Sequence, residues 1–473
     1  MERTEVLIVG AGLAGASLAW HAAGRFGLTV LEQGDAPLGE ASAQNAGMVR
    51  RFVAHADERA LACRSYDGLI ALGDHPDWSG APPFRRTGAV IAFAEAPPTW
   101  AEEAYDDLSR RGVHVEEVDS DRLADVAPAL GGARLERAYW LPDEGVCDAW
   151  TLGQGLLRGA SARGAELRCG VRVTALRTDG GRVTGVETDR GPIAADAVVL
   201  AAGAWGQALG RTAGSAVILT PRARHLLQSR PHELSNRDHP WCWVDDAGLY
   251  VRPEAGGFLC SPCDEVERDP GPGPGSSGPV ETLGRALAQD KLGAITPRLA
   301  DLGFQGGWNG LRTFAPDRQP RIGGDPDVQG LFWVGGLGGS GLTCALAVGE
   351  VAASILTSRV APLRCSDQGS LQPPSCSLGS RSAAAGEPPA PLGRGQPRPA
   401  LGFFPRSPGA STCPGRISVH PRPRRARPSG PWQRTNGSCP PRWATQGGPR
   451  TPVRPAIGRN NLPIGRRHNR VSR

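Results

Sequence analysis

The chain has 473 residues, 40% of them hydrophobic, which is long enough for two or three domains. The net charge of +6 is very unevenly distributed. Residues 364–473 carry 19 Arg and no Lys against two acids, whereas residues 1–363 carry 34 basic and 45 acidic residues. The same last 110 residues hold 20 of the 43 prolines, a composition that excludes a packed core there. We therefore predict a disordered tail at 364–473 after a folded, acidic part.

The first predicted element is a buried parallel strand at 6–9, an unbroken aliphatic and β-branched run. The segment Gly10-Ala-Gly-Leu-Ala-Gly15 follows, then an Ala-rich helix to about Arg25 and a second strand at 28–31. In such a unit the first Gly makes the tight turn, the second lets a pyrophosphate approach the backbone, and the third lets helix and strand pack closely. The helix N-terminus then presents free N–H groups to the phosphates.

Glu32 ends the second strand, 20 residues after Gly12. At that distance an acid accepts hydrogen bonds from a ribose diol. An acid there disfavours a 2′-phosphate, so the fingerprint favours FAD or NAD over NADP. The alternative is a Gly-rich turn without a ligand, but strand, helix and acid together favour a dinucleotide site.

The middle of the chain contains both helical and strand patterns. The loop at 36–47 is polar, and its Ser42 and Asn45 can donate hydrogen bonds to the same cofactor. The segment 171–188 alternates as a hairpin that turns at 179–181, and 217–265 predicts an antiparallel sheet in a second domain. Apolar periodicity predicts the other elements, which are helices at 57–72, 100–111, 121–126, 148–163 and 283–292, strands at 89–93, 166–169 and 195–202, and a loop at 270–278.

The last predicted ordered piece is a strand at 331–334, a Gly-rich loop at 335–341 and a helix from Leu342 to about Thr357. The run from 334 to 357 could be mistaken for a membrane span. It contains Glu350, is broken by five glycines in its first eight residues and has no basic flank. A buried strand, loop and helix explain it better, so we predict no transmembrane segment.

The 11 cysteines are scattered, and only Cys260 and Cys263 form a CxxC pair. With no second pair and no His cluster nearby, the pattern predicts no metal site. A reducing, cytoplasmic compartment is the default for such cysteine usage, and Met1-Glu2-Arg3 runs into the first strand without a signal peptide. Peripheral contact with the inner face of a membrane stays open, as does the oligomeric state.

Four stretches between about residues 3 and 360 stand out: GAGLAG with Glu32, ASAQNAGMV at 41–49, VVLAAGAW at 198–205, and GWNGLRTFAPDRQPRIGGDP at 307–326 followed by GLFWVGGLGGSGLTCALAVGE at 330–350. Together they resemble the FAD-dependent D-amino acid oxidase and dehydrogenase superfamily, which includes glycine oxidase, sarcosine oxidase and D-arginine dehydrogenase. The last stretch is the most specific, because its order and spacing are hard to obtain by chance. Residues 241–265 most resemble the D-arginine dehydrogenase branch.

The resemblance implies an α/β fold, in which a Rossmann-type FAD-binding domain is joined to an α+β domain whose antiparallel sheet binds the substrate. Each domain is assembled from separate stretches of chain. We assign 1–85, 146–215 and 306–360 to the FAD-binding domain, 86–145 and 216–305 to the substrate domain, and 364–473 to the disordered Arg- and Pro-rich tail.

The resemblance also implies which residues hold FAD. The loop after the last strand would bring backbone N–H groups of residues 338–341 to the pyrimidine end of the flavin, and the helix from Leu342 would face N1 and O2, where negative charge develops on reduction. A Gly-rich turn without that role is the alternative. The predicted cofactor-binding residues are Gly10, Gly12, Leu13, Ala14, Gly15, Glu32, Gln33, Ser42, Asn45, Ala46, Gly47, Met48, Val173, Ala202, Gly203, Trp205, Gly338, Gly339, Ser340, Gly341, Leu342 and Thr343.

Three residues are predicted to act on the substrate. Arg312 matches the family arginine that clamps the substrate carboxylate, a task suited to a planar guanidinium that stays charged. Tyr250 matches a tyrosine that helps to bind the carboxylate in the D-arginine dehydrogenase branch, and Arg224 falls near a second arginine of that branch. The alternatives are packing or surface roles for the arginines and a core role for the tyrosine.

The chain departs from its relatives at three positions. The arginine-specific enzyme has a glutamate for the substrate side chain where this chain has Thr87-Gly88, which argues against a basic substrate. Met48 replaces a polar histidine and predicts a more apolar pocket. Sarcosine oxidases attach the flavin through a cysteine near the position of Gly310, so we expect FAD to be bound noncovalently.

The predicted reaction oxidises the C–N bond of a D-amino acid, glycine or N-methyl amino acid. A hydride passes from the α-carbon to flavin N5, and the imino acid hydrolyses to a keto acid. Oxygen, a quinone or another carrier would reoxidise the flavin. No residue is assigned as the base that takes the amine proton.

Two other functions stay open at this point. The fingerprint alone permits an NAD-linked dehydrogenase of a small acid. A non-catalytic flavin-fold protein could instead bind nucleic acid through Arg-rich stretches of the tail such as 421–428. We predict no specific nucleic-acid partner, because a GC-rich reading frame extended or shifted past its natural stop gives the same tail composition.

Overall fold

The structure is a computed structural model that describes residues 2–365. Over those residues it has the predicted α/β architecture, with two large β-sheets and a small one. The helices are α1 (Leu13–Ala22), α2 (Ala56–Ala71), α3 (Thr99–Arg110), α4 (Ser120–Val126), α5 (Ala149–Ala162), α6 (Gly206–Arg211), α7 (Thr282–Ile295) and α8 (Ala345–Cys365), with 3-10 turns at Leu72–Asp74, Pro128–Leu130, Gly203–Trp205 and Pro297–Leu299. The strands are β1 (Glu2–Val9), β2 (Leu28–Leu31), β3 (Met48–Val49), β4 (Phe84–Arg86), β5 (Ala89–Phe93), β6 (Glu116–Glu117), β7 (Arg137–Leu141), β8 (Gly145–Cys147), β9 (Glu166–Arg168), β10 (Val173–Asp179), β11 (Arg182–Thr188), β12 (Ile193–Leu200), β13 (Thr220–Ser229), β14 (Trp241–Val244), β15 (Leu249–Glu254), β16 (Gly257–Ser261), β17 (Val266–Glu267), β18 (Phe304–Phe314), β19 (Arg321–Gly324) and β20 (Leu331–Gly335).

The first sheet has a parallel centre in which β20, β12, β1, β2 and β9 lie side by side. The β10–β11 hairpin extends it in the antiparallel sense from β12, and β19 pairs with β20. Val6, Leu7 and Ile8 are fully buried, as expected for strands covered on both faces. Parallel strands end at one edge of a sheet, so the loops after β1, β2, β12 and β20 converge there.

Helices α1 and α8 pack against each other on one face of this sheet. The hydroxyl of Ser17 in α1 donates a long hydrogen bond to the carbonyl of Leu346 in α8, at 3.5 Å. Gly349 lies against Ser17 so closely that a Cβ on Gly349 would come within 2.5 Å of the Ser17 carbonyl carbon. The contact joins the N-terminal halves of both helices, and it therefore places the β1–α1 turn beside the Gly-rich loop that precedes α8.

The second sheet has the order β17-β13-β16-β15-β14-β5-β7-β6, and β18 pairs with β13 along most of its length. Its pairs are antiparallel with one exception, since β14 runs parallel to β5. The sheet therefore departs from the predicted antiparallel pattern at the point where residues 86–145 meet residues 216–305. The small sheet joins β3, β8 and β4.

Three predicted helices differ from the structure by three residues or more at a boundary. The helix predicted at 283–292 is α7, which ends at Ile295. Helix α1 ends at Ala22 rather than near Arg25, because Gly24 turns the chain with φ = +81°. Helix α8 begins at Ala345 rather than Leu342, because residues 341–344 form a separate turn, and it continues to Cys365. The predicted tail at 364–473 therefore overlaps the helix by two residues, and the rest of it lies outside the described residues. The domain boundaries stay predictions.

Gly349→Ala is expected to destabilise the fold, because the added Cβ would push α8 away from α1. Overpacking of this kind lowers the free energy of unfolding by about 1–3 kcal/mol. Urea unfolding of the variant beside the parent protein measures it. Gly293→Ala in α7 is the matched control, since a Cβ there meets nothing within 4 Å, and it should leave the stability unchanged or raise it. Equal destabilisation by both substitutions would contradict the close α1–α8 contact.

Candidate active site

The turn between β1 and α1 leaves almost no room for side chains. Gly10 has φ = +103°, and a Cβ on it would lie 2.5 Å from the carbonyl oxygen of Ala201, just after β12. A Cβ on Gly15 would overlap the carbonyl oxygen of Gly10. Gly is required at both positions, and the turn presents backbone instead of side chains to the space above it.

Glu32 is fixed just after β2 by two backbone donors. Its carboxylate oxygens accept hydrogen bonds from the N–H groups of Ala11 and Gly34, both at 2.9 Å. Nearby, the hydroxyl oxygen of Ser42 accepts a hydrogen bond from the N–H of Leu13 at the start of α1, also at 2.9 Å. The acid and the helix N-terminus therefore lie side by side, the arrangement that holds ribose and pyrophosphate in dinucleotide-binding folds.

A cavity of about 550 Å³ opens above this turn. Its walls come from the β1–α1 turn, the loop after β2, the start of β10, the segment after β12, the second sheet and the loop after β20. The structure thus brings together most of the predicted cofactor-binding residues, although they come from distant parts of the chain. Those that line the cavity are Gly10, Gly12, Leu13, Ala14, Glu32, Gln33, Ser42, Asn45, Ala46, Gly47, Met48, Val173, Ala202, Gly203, Trp205, Gly338, Gly339, Gly341 and Leu342.

Three predicted cofactor-binding residues do not line this cavity. Gly15 lies beneath the turn, packed on Gly10. The hydroxyl of Ser340 donates to the Glu58 carboxylate, away from the cavity. The hydroxyl of Thr343 accepts a hydrogen bond from the N–H of Arg50 at 3.2 Å and donates to the carbonyl of Met48 at 3.3 Å. These residues support the walls of the cavity.

The Gly-rich loop offers fewer free donors than predicted. The N–H of Gly338 donates to the carbonyl of Thr313, and that of Ser340 to the carbonyl of Leu337, both at 2.9 Å. Two of the four predicted N–H donors are therefore used within the chain. The segment can still present backbone to a ligand through Gly339 and Gly341, and the helix dipole acts from Ala345, where α8 begins.

Arg312 lies at the other end of the cavity, on β18, and is 8% exposed. Its guanidinium donates to the carbonyls of Leu311, at 3.0 Å, and of Gln44. It forms no ion pair with any carboxylate of the described residues. Burial lowers the pKa of Arg312 to about 10, and the nearby positive charge of Arg224 acts in the same direction. Arg312 is therefore a buried cation without an anion, in the wall of a cavity.

Arg224 lines the same cavity but is already paired. It donates to the carboxylate of Glu265 at 2.6 Å, and Arg318 binds the same carboxylate through two N–H groups at 2.7 and 3.0 Å. Arg222 also lies 3.7 Å from this carboxylate, so Glu265 balances only one of three guanidiniums. A positive excess remains beside Arg312, although Arg224 itself is held in place by Glu265.

Tyr250 and Trp243 form the aromatic part of the wall. Their rings lie 5.0 Å apart, and Tyr250 is 4% exposed. Burial raises the pKa of Tyr250 to about 12, so its phenol stays protonated and can donate a hydrogen bond. Met48 packs against the same cluster. The end of the cavity near Arg312 is therefore apolar apart from its cations and the phenol.

A second cavity of about 400 Å³ adjoins the first, because Arg224, Trp243, Gly338 and Gly339 line both. Thr87 and Gly88 line neither cavity, so the sequence argument against a basic substrate rests on positions outside the walls. The charged residues of the second cavity that do not line the first are Arg50, Glu58, Asp245, Glu265 and Arg318.

Several wall residues were missed by sequence reasoning. Trp243 could have been proposed from its place in the aromatic strand that precedes Tyr250. Glu40 and Arg172 gave no signal, since an isolated charge in a loop resembles any surface residue. Residues 271, 272 and 276 lie in the segment that the sequence predicts as a loop, and they also line the larger cavity.

A profile of the family described as FAD dependent oxidoreductase matches residues 5–355. The chain belongs to this family of FAD-dependent oxidoreductases. The match sets aside the NAD-linked dehydrogenase that the N-terminal fingerprint left open, and the prediction of FAD as the cofactor is confirmed.

Curated relatives match the same part of the chain, and a solved structure shares its fold. The 4-methylaminobutanoate oxidase (formaldehyde-forming) of Paenarthrobacter nicotinovorans is 28% identical over 354 residues, which are 73% of this chain but 42% of that protein. The glycine oxidase of Geobacillus kaustophilus is 26% identical over 370 residues, 75% of this chain and 93% of that one. The L-proline dehydrogenase of P. horikoshii has a TM-score of 0.66 at 21% identity, covering 76% of this chain and 94% of that one, a likeness of fold alone. The chain spans less than half the length of the first relative.

The walls of the larger cavity fit the cofactor of this family. Gly12 of the β1–α1 turn lines the cavity without a side chain, and Glu32 lies beside a helix N-terminus, where an acid would accept hydrogen bonds from a ribose. Gly310 offers no side chain for covalent attachment, and noncovalent binding stays the prediction.

Two features are absent from the described residues. Among the described helices, none is both long and apolar enough to cross a bilayer. Within residues 2–365 no group of three His, Cys, Asp or Glu side chains could hold a metal ion, and Cys260 and Cys263 are free thiols.

Gly10→Ala is expected to abolish retention of FAD, because the new Cβ would collide with the carbonyl of Ala201 and displace the turn. The ratio of flavin to protein absorbance after purification measures this. Gly112→Ala is the control, since Gly112 also has positive φ, +76°, yet a Cβ there meets nothing within 4 Å. Both variants carry the backbone strain of about 1–2 kcal/mol, so equal FAD contents would contradict the role of the Gly10 turn.

Proposed function

We propose that this flavoenzyme oxidises the C–N bond of an amino acid, with a D-amino acid, glycine or an N-methyl amino acid as substrate. The observation that supports this best is the buried, unpaired guanidinium of Arg312 at one end of the cofactor cavity. A buried charge is unfavourable unless it is paired, so this site favours an anionic ligand.

A carboxylate matches Arg312 on geometric grounds. Two parallel N–H groups of a guanidinium fit both oxygens of a carboxylate and fix its orientation. The protonated phenol of Tyr250 can donate a further hydrogen bond. Arg224, held by Glu265, would add favourable charge without being the main ligand.

The protein residues would position the substrate and favour its neutral amine. Cations lower the pKa of a nearby amine, because like charges disfavour its protonated form. Arg312 and Arg224 would therefore help the substrate to lose a proton to solvent, and the reaction needs no dedicated base. Tyr250 is not a base near neutral pH, since its pKa is raised to about 12.

Bound FAD supplies the hydride acceptor. The substrate α-carbon gives up its hydrogen with both electrons, the C–N bond becomes C=N, and water then hydrolyses the imine to an oxo acid and an amine. Holding the α-carbon by its carboxylate supplies the orientation that such a transfer requires. The names of the two curated relatives support this class, since glycine and 4-methylaminobutanoate each contain an amine and a carboxylate.

Arg312→Met tests the proposal. We expect kcat/KM for the best substrate to fall about 100-fold or more, because removal of one partner of a buried charge pair costs several kcal/mol of binding. FAD content should stay unchanged, and the melting temperature of the free holoenzyme should stay equal or rise, since an unpaired buried charge is lost. Steady-state kinetics and thermal unfolding measure both.

Arg312→Lys is the matched control, because it keeps the charge and loses the planar fork. It should retain part of the activity. Propionate, a carboxylate without an amine, should raise the melting temperature of the parent holoenzyme and leave that of Arg312→Met unchanged. The carboxylate role would be contradicted by a propionate shift of equal size in both proteins, or by unchanged kcat/KM in the methionine variant.

A further inference from the structure

Residues 269–278, with the sequence Asp-Pro-Gly-Pro-Gly-Pro-Gly-Ser-Ser-Gly, cross from β17 toward α7 and are here called the strap. Gly271, Pro272 and Ser276 of the strap line the cofactor cavity. The strap follows a strand of the second sheet, whereas most of the cavity wall around it belongs to the first sheet. The strap therefore reaches the cavity from the second sheet and forms a part of its wall that is separate from the first sheet.

Glu40 anchors the strap at Gly275 and Ser276. Its carboxylate accepts hydrogen bonds from the N–H of Gly275 at 2.6 Å, the N–H of Ser276 at 3.2 Å and the hydroxyl of Ser276 at 2.5 Å. The loop that contains Glu40 is attached to the β1–α1 turn, because the N–H of Leu38 donates a hydrogen bond to the carbonyl of Ala11. One carboxylate thus ties the strap to the cofactor-binding turn.

Two other wall residues bind the opposite part of the strap. The indole N–H of Trp205 donates to the carbonyl of Gly271 at 2.8 Å, and Arg172 donates to the carbonyl of Pro272 at 3.2 Å. Arg172 follows Val171, whose N–H donates to the carbonyl of Glu32. The strap therefore crosses the half of the cavity that contains the ribose-binding acid.

The strap has little apolar packing to hold it. A Cβ on Gly271, Gly273 or Gly275 would meet nothing within 4 Å. A segment held by a few hydrogen bonds opens at a lower free energy than a packed strand or helix. Besides Glu40, Trp205 and Arg172, two residues hold the strap. Arg268 donates to the carbonyl of Ser276 at 2.7 Å, and Asn309 exchanges backbone hydrogen bonds with Gly278 at 2.8 and 3.1 Å. The position of the strap over the cavity thus depends on hydrogen bonds.

We propose that the strap covers the adenosine half of bound FAD and that Glu40 is the positioning residue that keeps it closed. FAD is released when the hydrogen bonds to Glu40 break and the strap lifts. The proposal concerns retention of the family cofactor, so it does not depend on the amino acid substrate.

Glu40→Ala in the full-length holoenzyme tests the proposal. Free FAD is fluorescent, so the rise of flavin fluorescence after strong dilution of the holoenzyme gives the dissociation rate. We expect release to accelerate about tenfold or more, since hydrogen bonds to a charged group are lost. Asp246→Ala is the matched control, because Asp246 also binds a loop through the N–H groups of Ala94 and Glu95 yet lines neither cavity. Its release rate should equal that of the parent.

A second readout separates an effect through the strap from a direct contact between Glu40 and FAD. Hydrogen exchange of the Gly278 amide, which is bound by Asn309 and not by Glu40, should accelerate in FAD-loaded Glu40→Ala and not in Asp246→Ala. Should Glu40→Ala fail to fold, Trp205→Phe, which removes the indole donor to Gly271, should speed both release and strap exchange. Unchanged FAD release, or faster release without faster exchange of the Gly278 amide, would overturn the proposal.

Discussion

The close approach of the β1–α1 turn to the end of β12 is the constraint on which the rest of the site depends. Gly10 passes so near Ala201, and Gly15 so near Gly10, that no side chain fits between them. The space above the turn is therefore lined by backbone and by a helix N-terminus, which favours phosphate. The packing of α8 on α1 brings the Gly-rich loop to the same edge of the sheet, so one cavity receives both.

Charge divides the cavity into two functional ends. At the β2 end, Glu32 is held by two backbone donors and is suited to hydroxyl groups. At the second sheet, Arg312 is buried without an anion, whereas Arg224 and Arg318 share Glu265. A dinucleotide that enters at the acidic end thus extends toward a positive, largely apolar chamber. An amino acid carboxylate bound there would neutralise the charge that burial has left uncompensated.

Local patterns were enough to predict the first βαβ unit, the 171–188 hairpin and the strand at 89–93, because each depends on neighbouring residues or on a compact motif. The fingerprint alone permitted FAD or NAD, and it was the resemblance to a family that selected FAD. Pairings between distant segments were not predictable. The parallel contact of β14 with β5 and the hydrogen bonds of Glu40 to the strap, 235 residues away, leave no periodic trace in sequence. The Leu342 boundary was wrong because apolar residues in a turn resemble the first turn of a helix. Arg312 is predicted to bind the substrate carboxylate, and the lack of an ion-pair partner for it among the described residues is a physical argument for that role. The role itself stays a proposal.

The most direct test of the account is an anaerobic titration of the FAD-loaded protein with D-amino acids, glycine and sarcosine, followed by the visible absorption of the flavin. The account predicts that at least one of these carboxylate-bearing amines bleaches the flavin, and that Arg312→Met requires a much higher concentration of the same compound. A flavin spectrum that none of them bleaches would keep the fold and the cofactor but contradict the proposed amino acid oxidation.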